Sequence, residues 1–170
     1  MMFADGGAAG QAEAKERMRK LGLRGGAGNP VLQSVFGRKW ESDGHRDADR
    51  MMIALRGLKE AALAIDYRKF DLSGLIGNLA QPHAEGLVYS FWFKGSVPGA
   101  AGGAHTIGFF EKLGAAGGRL QQQNNGLSCF DPNFGECYVA WNLFPNWFDR
   151  LQASYGPFQH HMLKAVTTSA

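Results

Sequence analysis

The hydrophobic positions of this chain change their period near residue 87. Ahead of it the segment from about Gln11 to Leu21 is charged and stopped by Gly22, and Pro30 to Trp40 carries proline in its first turn, so both read as short helices. Asp47 or Asp49 caps a third helix predicted to run to about Ile65, with Met51, Leu55, Leu58, Ala62 and Ile65 recurring on one face. From Leu87 the runs become β-branched and aromatic: Leu87–Phe93, Ala104–Phe110, Leu127–Asp131 and Glu136–Trp141 read as strands. Pro132-Asn133-Phe134-Gly135 supplies the restricted and positive φ angles of a tight connection, which makes the last two runs a hairpin. Pro145, Trp147, Phe148, Leu151 and Tyr155 form a closing amphipathic helix that Gly156-Pro157 stops. The predicted order is helices, antiparallel strands, helix, an α+β class. One domain is expected over 1–170, with a helical part at 1–70 and a sheet part at 85–155.

Composition narrows the function classes. At 170 residues and 45% hydrophobic, the chain can bury one sizeable core. Its longest apolar stretches, such as Leu87–Phe93, fall well short of the roughly 20 residues of a membrane-crossing helix, so no membrane span is expected. No secretory signal is visible in Met-Met-Phe-Ala-Asp-Gly-Gly. The net charge of +3 is concentrated in residues 1–70, where 13 Lys/Arg meet 9 Asp/Glu, and the interspersed acids make this a solvated surface, not a phosphate-binding stripe. No nucleic-acid motif is present and no nucleic-acid partner is expected.

Candidate chemistry gathers in the strand half. In Gly103-Ala104-His105-Thr106-Ile107-Gly108-Phe109 the odd positions put His105, Ile107 and Phe109 on one face. Asp131 ends a strand just before the hairpin turn, 26 residues further on. If these strands pair, the carboxylate can hold one imidazole nitrogen, fixing the tautomer and supporting the charge acquired by a general base. The bland alternative is a structural strand histidine beside an ordinary Asp-Pro-Asn turn.

These residues resemble two motifs of the YopT/AvrPphB-type bacterial effector cysteine peptidases, a papain-like family. Gly102-Gly103-Ala104-His105-Thr106-Ile107-Gly108 is similar to the family's Gly-Gly-His-Ala-Ile-Ala strand with one extra alanine. Cys129-Phe130-Asp131-Pro132-Asn133-Phe134-Gly135-Glu136 resembles Phe-Phe-Asp-Pro-Asn-Phe-Gly-Glu at nearly every position. The resemblance covers roughly residues 85–155. It implies a papain-like fold with N-terminal helices packed on an antiparallel sheet, His105 as general base and Asp131 as its orienting carboxylate. It further implies host proteins as substrates, of the Rho-type GTPase or kinase classes, reached by secretion into a host cell. Peptide cleavage and side-chain deamidation are both open to the same triad, and neither needs a cofactor or metal.

The interval between the two motifs is longer than the family's, and the surplus lies in the Gly114–Gly126 tract. The family's nucleophile stands well upstream in a Gly-x-Cys-x-x-Leu-like context, but no cysteine precedes residue 129. Truncation ahead of Met1 is the first expectation. The alternative is a non-catalytic pseudoenzyme or interaction module, in which Gly28-Asn29-Pro30-Val31-Leu32 opens the helix and Asn29 stands where the thiol would be; an amide cannot attack a carbonyl. A four-residue turn at 132–135 sets Asp131 opposite Glu136, Cys129 opposite Tyr138 and Cys137 opposite Phe130. That register separates the two thiols onto opposite faces, disfavours a disulfide and leaves each a buried structural residue. His160-His161 lack the spacing of a shared zinc-ligand face, His45 and His83 lie in loops, and Ser90 and Ser96 sit in no nucleophile elbow.

Overall fold

The structure, a computed structural model, describes residues 38, 50, 51, 53, 54, 58–81, 86–95, 102–110, 126–131 and 133–168. Six strands form one antiparallel sheet: β1 (Leu58–Lys69), β2 (Gly86–Phe93), β3 (Gly103–Phe110), β4 (Gly126–Asp131), β5 (Gly135–Ala140) and β6 (Phe158–Thr168). Helix α1 (Leu72–Leu79) follows β1, and a 3-10 turn at Trp141–Leu143 leads into α2 (Phe144–Tyr155). The strand order is β1-β6-β2-β3-β4-β5. Strands β2 to β5 run as a meander, and β6 returns from the far edge to insert between β1 and β2.

Alternation along the strands explains which face α2 covers. Leu87, Tyr89 and Phe91 of β2, Ile107 and Phe109 of β3, Leu127 and Cys129 of β4 and Val139 of β5 share one buried cluster, as period-two strands with one apolar face require. Phe144, Trp147, Phe148 and Leu151 recur at helical spacing and press onto it from α2, while Leu75 and Leu79 join it from α1. Full burial of a side chain such as Phe148 contributes about 1.5–3 kcal/mol. The other face also leaves water: Ser90, Met162, Lys164 and Val166 are buried there, and Ser90 Oγ lies 2.9 Å from Thr106 Oγ1. The Lys164 ammonium is 3.6 Å from the Glu60 carboxylate, which Arg50 approaches from 3.6 Å on its exposed side.

The helix predicted to continue to Ile65 does not. Arg50, Met51, Ile53 and Ala54 are helical, but Leu58–Lys69 is a strand that pairs antiparallel with β6 from Leu58 opposite Thr168 to Lys69 opposite His160. The alanines at 61, 62 and 64 favour a helix locally. Pairing wins because β6, buried over most of its length, would otherwise hold a row of unsatisfied N–H and C=O groups along that edge. Only Ile65 of β1 enters the core cluster, and three register shifts mark the strand as an irregular edge. Strand β6 and helix α1 add to the predicted elements, so the sheet extends beyond residue 155. Arg38 is helical; the expected Gln11–Leu21 helix, the rest of the Pro30–Trp40 helix, Asn29, His45, His83, Ser96 and 114–125 lie outside the described residues.

Candidate active site

Strand β3 pairs with β2 so that His105 lies opposite Phe91, and with β4 through Gly108 opposite Phe130 and Phe109 opposite Cys129. His105 thus projects beyond the end of β4, where the β4–β5 turn begins. Asp131 occupies that end, pointing to the same face. His105 Nε2 and Asp131 Oδ1 are 3.0 Å apart, with the imidazole 17% and the carboxylate 5% exposed. The predicted pair therefore meets on adjoining strands, buried on the carboxylate side and open on the histidine side.

Asp131 is held by more than the histidine. The backbone N–H of Asn133 donates to Oδ1 at 2.8 Å, the side-chain-to-backbone turn that an Asp-Pro-Asn sequence favours. The Tyr155 hydroxyl lies 3.0 Å from Oδ1 and 2.9 Å from Oδ2, sharing its single proton between them, while Asn133 Nδ2 donates to the Tyr155 oxygen at 2.9 Å. Burial, opposed by the Asn133 amide and reinforced by the Asp131 charge, pushes the Tyr155 hydroxyl well above the ordinary tyrosine range. It stays protonated and remains a donor. Charge-assisted bonds of this kind are about twice as strong as neutral ones, so the carboxylate has one orientation.

The same tyrosine positions the imidazole. Its ring stacks on His105 at 4.7 Å and 26°, and Phe91 meets the histidine edge-on at 5.6 Å. With Nε2 directed at Asp131, Nδ1 is the nitrogen left to exchange protons, and it has no hydrogen bond among the described residues. Tyr155 is the candidate-site residue that sequence reasoning assigned to packing alone. Its position in the last turn of an amphipathic helix gave no sign that a polar tip would reach a strand end.

The cysteines sit elsewhere, and in another register than expected. Asp131 pairs with Gly135, Phe130 with Glu136 and Cys129 with Cys137, so the connection is three residues long and the thiols face each other on one side of the hairpin. Gly135, at φ 94°, takes a left-handed conformation that glycine adopts without strain and enters the strand instead of the turn. A one-residue change of register moves every following side chain to the other face. Both thiols are free. They line a pocket of about 470 Å³ between the hairpin and α2, together with Asp131, Phe134, Trp147 and Arg150. Cys129 lies two residues along β4 from Asp131, on the side away from His105, about 7 Å at ordinary strand rise. Neither thiol is placed to face Nδ1.

Burial pushes the Cys129 thiol well up, and the adjacent Cys137 adds to the rise. Contact with Cys129 lowers Cys137 against the opposing effect of its own burial, with help from the Trp147 indole. Of the histidine pair, His160 stacks on Tyr67 at 4.9 Å and His161 is buried among Phe70 and Tyr89. Among the described residues no group of three or more His, Cys, Asp or Glu side chains is gathered as a metal site. None of the described helices is long and apolar enough to cross a membrane.

An α+β fold with a buried-edge His–Asp pair at the end of a six-stranded antiparallel sheet is the class that fold and site define. The fold is similar to that of Pseudomonas avirulence protein AvrPphB in its crystal structure, with a TM-score of 0.53 over 86% of this chain and 74% of that one, at 14% identity. No protein-family model and no curated protein matches the sequence.

Proposed function

We propose that this chain carries the His/Asp half of a papain-like, YopT-type cysteine peptidase of a bacterial virulence effector. The observation that carries the reading is the His105 Nε2–Asp131 Oδ1 bond with Nδ1 left open, on a fold similar to that of AvrPphB. In this reading His105 Nδ1 takes the proton of a thiol, the thiolate attacks the carbonyl of a host-protein amide, and the same proton is delivered to the departing amine. Asp131 holds the other ring nitrogen and balances the imidazolium, and Tyr155 fixes both by donating to the carboxylate and stacking on the ring. Rho-type GTPases and kinases are the substrate classes that the motif resemblance suggests, after secretion into the host.

The 170 residues contain two cysteines only, and both lie on the Asp131 side of the pair. The thiol must then come from a segment joined to this chain or docked on it. The same observation favours a second reading, a pseudoenzyme that keeps the fold and binds a partner. One experiment separates them: in protein expressed with everything its gene encodes, follow iodoacetamide alkylation of any thiol other than Cys129 and Cys137 at neutral pH. A reactive thiol that slows about 10²- to 10⁴-fold on His105→Ala supports the peptidase, in line with the usual contribution of a positioned base. No such thiol, or one indifferent to His105, leaves the pseudoenzyme.

A further inference from the structure

Cys129 and Cys137 are direct register partners on β4 and β5, with side chains on one face, both free, and both lining the pocket between the hairpin and α2. Directly opposed residues of an antiparallel pair have Cα atoms about 4.5–5.5 Å apart, inside the roughly 4.4–6.8 Å span of a disulfide, so a bridge can close with little backbone movement. The two thiols differ in access: Cys129 is fully buried, whereas Cys137 is half-buried and reachable from the pocket. A volume of about 470 Å³ lies within the range of small-molecule sites. Nothing in the proposed mechanism uses either sulfur.

We propose that Cys129 and Cys137 form a thiol–disulfide exchange site that reacts with a low-molecular-weight disulfide entering the pocket and ends as an intrachain bridge. Cys137 attacks first. Its thiolate displaces one thiolate from the small disulfide and forms a mixed disulfide, and Cys129 then attacks the Cys137 sulfur and displaces the second thiolate, which leaves carrying the Cys129 proton. The protein dithiol loses two electrons and two protons, and the small disulfide becomes two thiols. The order follows from access, and the lowered Cys137 and raised Cys129 thiols agree with it. Asp131, which opposes both thiolates, lines the same pocket, so the bridge would form beside the carboxylate that holds His105.

The test uses the full chain in native buffer with oxidised glutathione, read by intact mass and peptide mapping. The expected product has lost two hydrogens, links the Cys129 and Cys137 peptides of one chain and retains no glutathione. Cys129→Ser should stop at a stable glutathione adduct on Cys137, while Cys137→Ala should leave Cys129 modified at least tenfold more slowly. The proposal is overturned if the folded wild-type chain keeps both thiols where the urea-unfolded chain loses them, or if the bridge forms between chains. Equal rates for the two single variants would also overturn it, and the wild-type result decides the matter should either variant fail to fold.

Discussion

His161 should make this fold acid-sensitive at a pH where most carboxylates have not begun to titrate. The residue is 1% exposed on β6, and neither ring nitrogen has a hydrogen-bond partner among the described residues. Phe70 meets the ring edge-on at 5.4 Å and Tyr89 at 6.0 Å. Burial, with Arg68 and His160 adding and Asp71 opposing, pulls its pKa from 6.5 to about 4. Because the folded value lies below the unfolded one, the unfolded chain takes up the proton first. The corresponding stability is fully present above about pH 6.5 and is lost as the pH falls towards 4. A tenfold difference in proton affinity between the folded and unfolded chains corresponds to about 1.36 kcal/mol, so the loss is about 2 kcal/mol by pH 5 and about 3 kcal/mol near pH 4. Against a total of roughly 5–15 kcal/mol for a domain, that is a large fraction. Urea denaturation at pH 7 and pH 5, on wild type and His161→Phe, isolates it. Phenylalanine suits the aromatic surroundings and cannot titrate, so other groups cancel in the difference. The wild type should lose about 2 kcal/mol more than the variant between the two values; equal losses would refute the assignment of a buried neutral imidazole.

Two further outcomes check the site and the core. Tyr155→Phe keeps the stack on His105 but removes the donor shared by both Asp131 oxygens, and should cost about 1.5–3 kcal/mol in urea denaturation, the usual worth of a hydrogen bond to a charged group. A cost under about 0.5 kcal/mol would show that the hydroxyl does not hold the carboxylate. Phe148→Ala empties a fully buried position of α2 over the sheet and should cost about 3–5 kcal/mol with a lowered Tm; a near-neutral result would mean α2 does not pack as described.

Much of the sheet and of the candidate site's geometry was legible in the sequence because the signals were local. The four runs from Leu87 to Trp141 alternate in period two or are rich in aromatic and β-branched residues, and Pro and Gly bound the closing helix. The meeting of His105 and Asp131 followed from pleat direction once the strands were neighbours. Asp-Pro-Asn was read as ordinary turn chemistry, the bland alternative to a site, and the same turn places the Asn133 N–H on the aspartate.

Three features were decided only by the tertiary structure. Leu58–Lys69 carries an alanine-rich, helix-compatible pattern, and it is a strand because β6 needed an edge partner; the demand comes from residues about a hundred positions away in the chain, to which no local window has access. The hairpin register turned on whether Gly135 belongs to the turn or to the strand, a difference of one residue that sequence composition does not resolve but that brings Cys129 and Cys137 face to face. Tyr155 reaches Asp131 because α2 is seated on the sheet through its buried Phe144, Trp147, Phe148 and Leu151, which leaves its last turn over the end of β4. Sequence determined which residues could do chemistry here; the packing of one helix on one sheet determined which of them touch, because contact depends on how distant segments satisfy each other's buried surfaces and backbone groups.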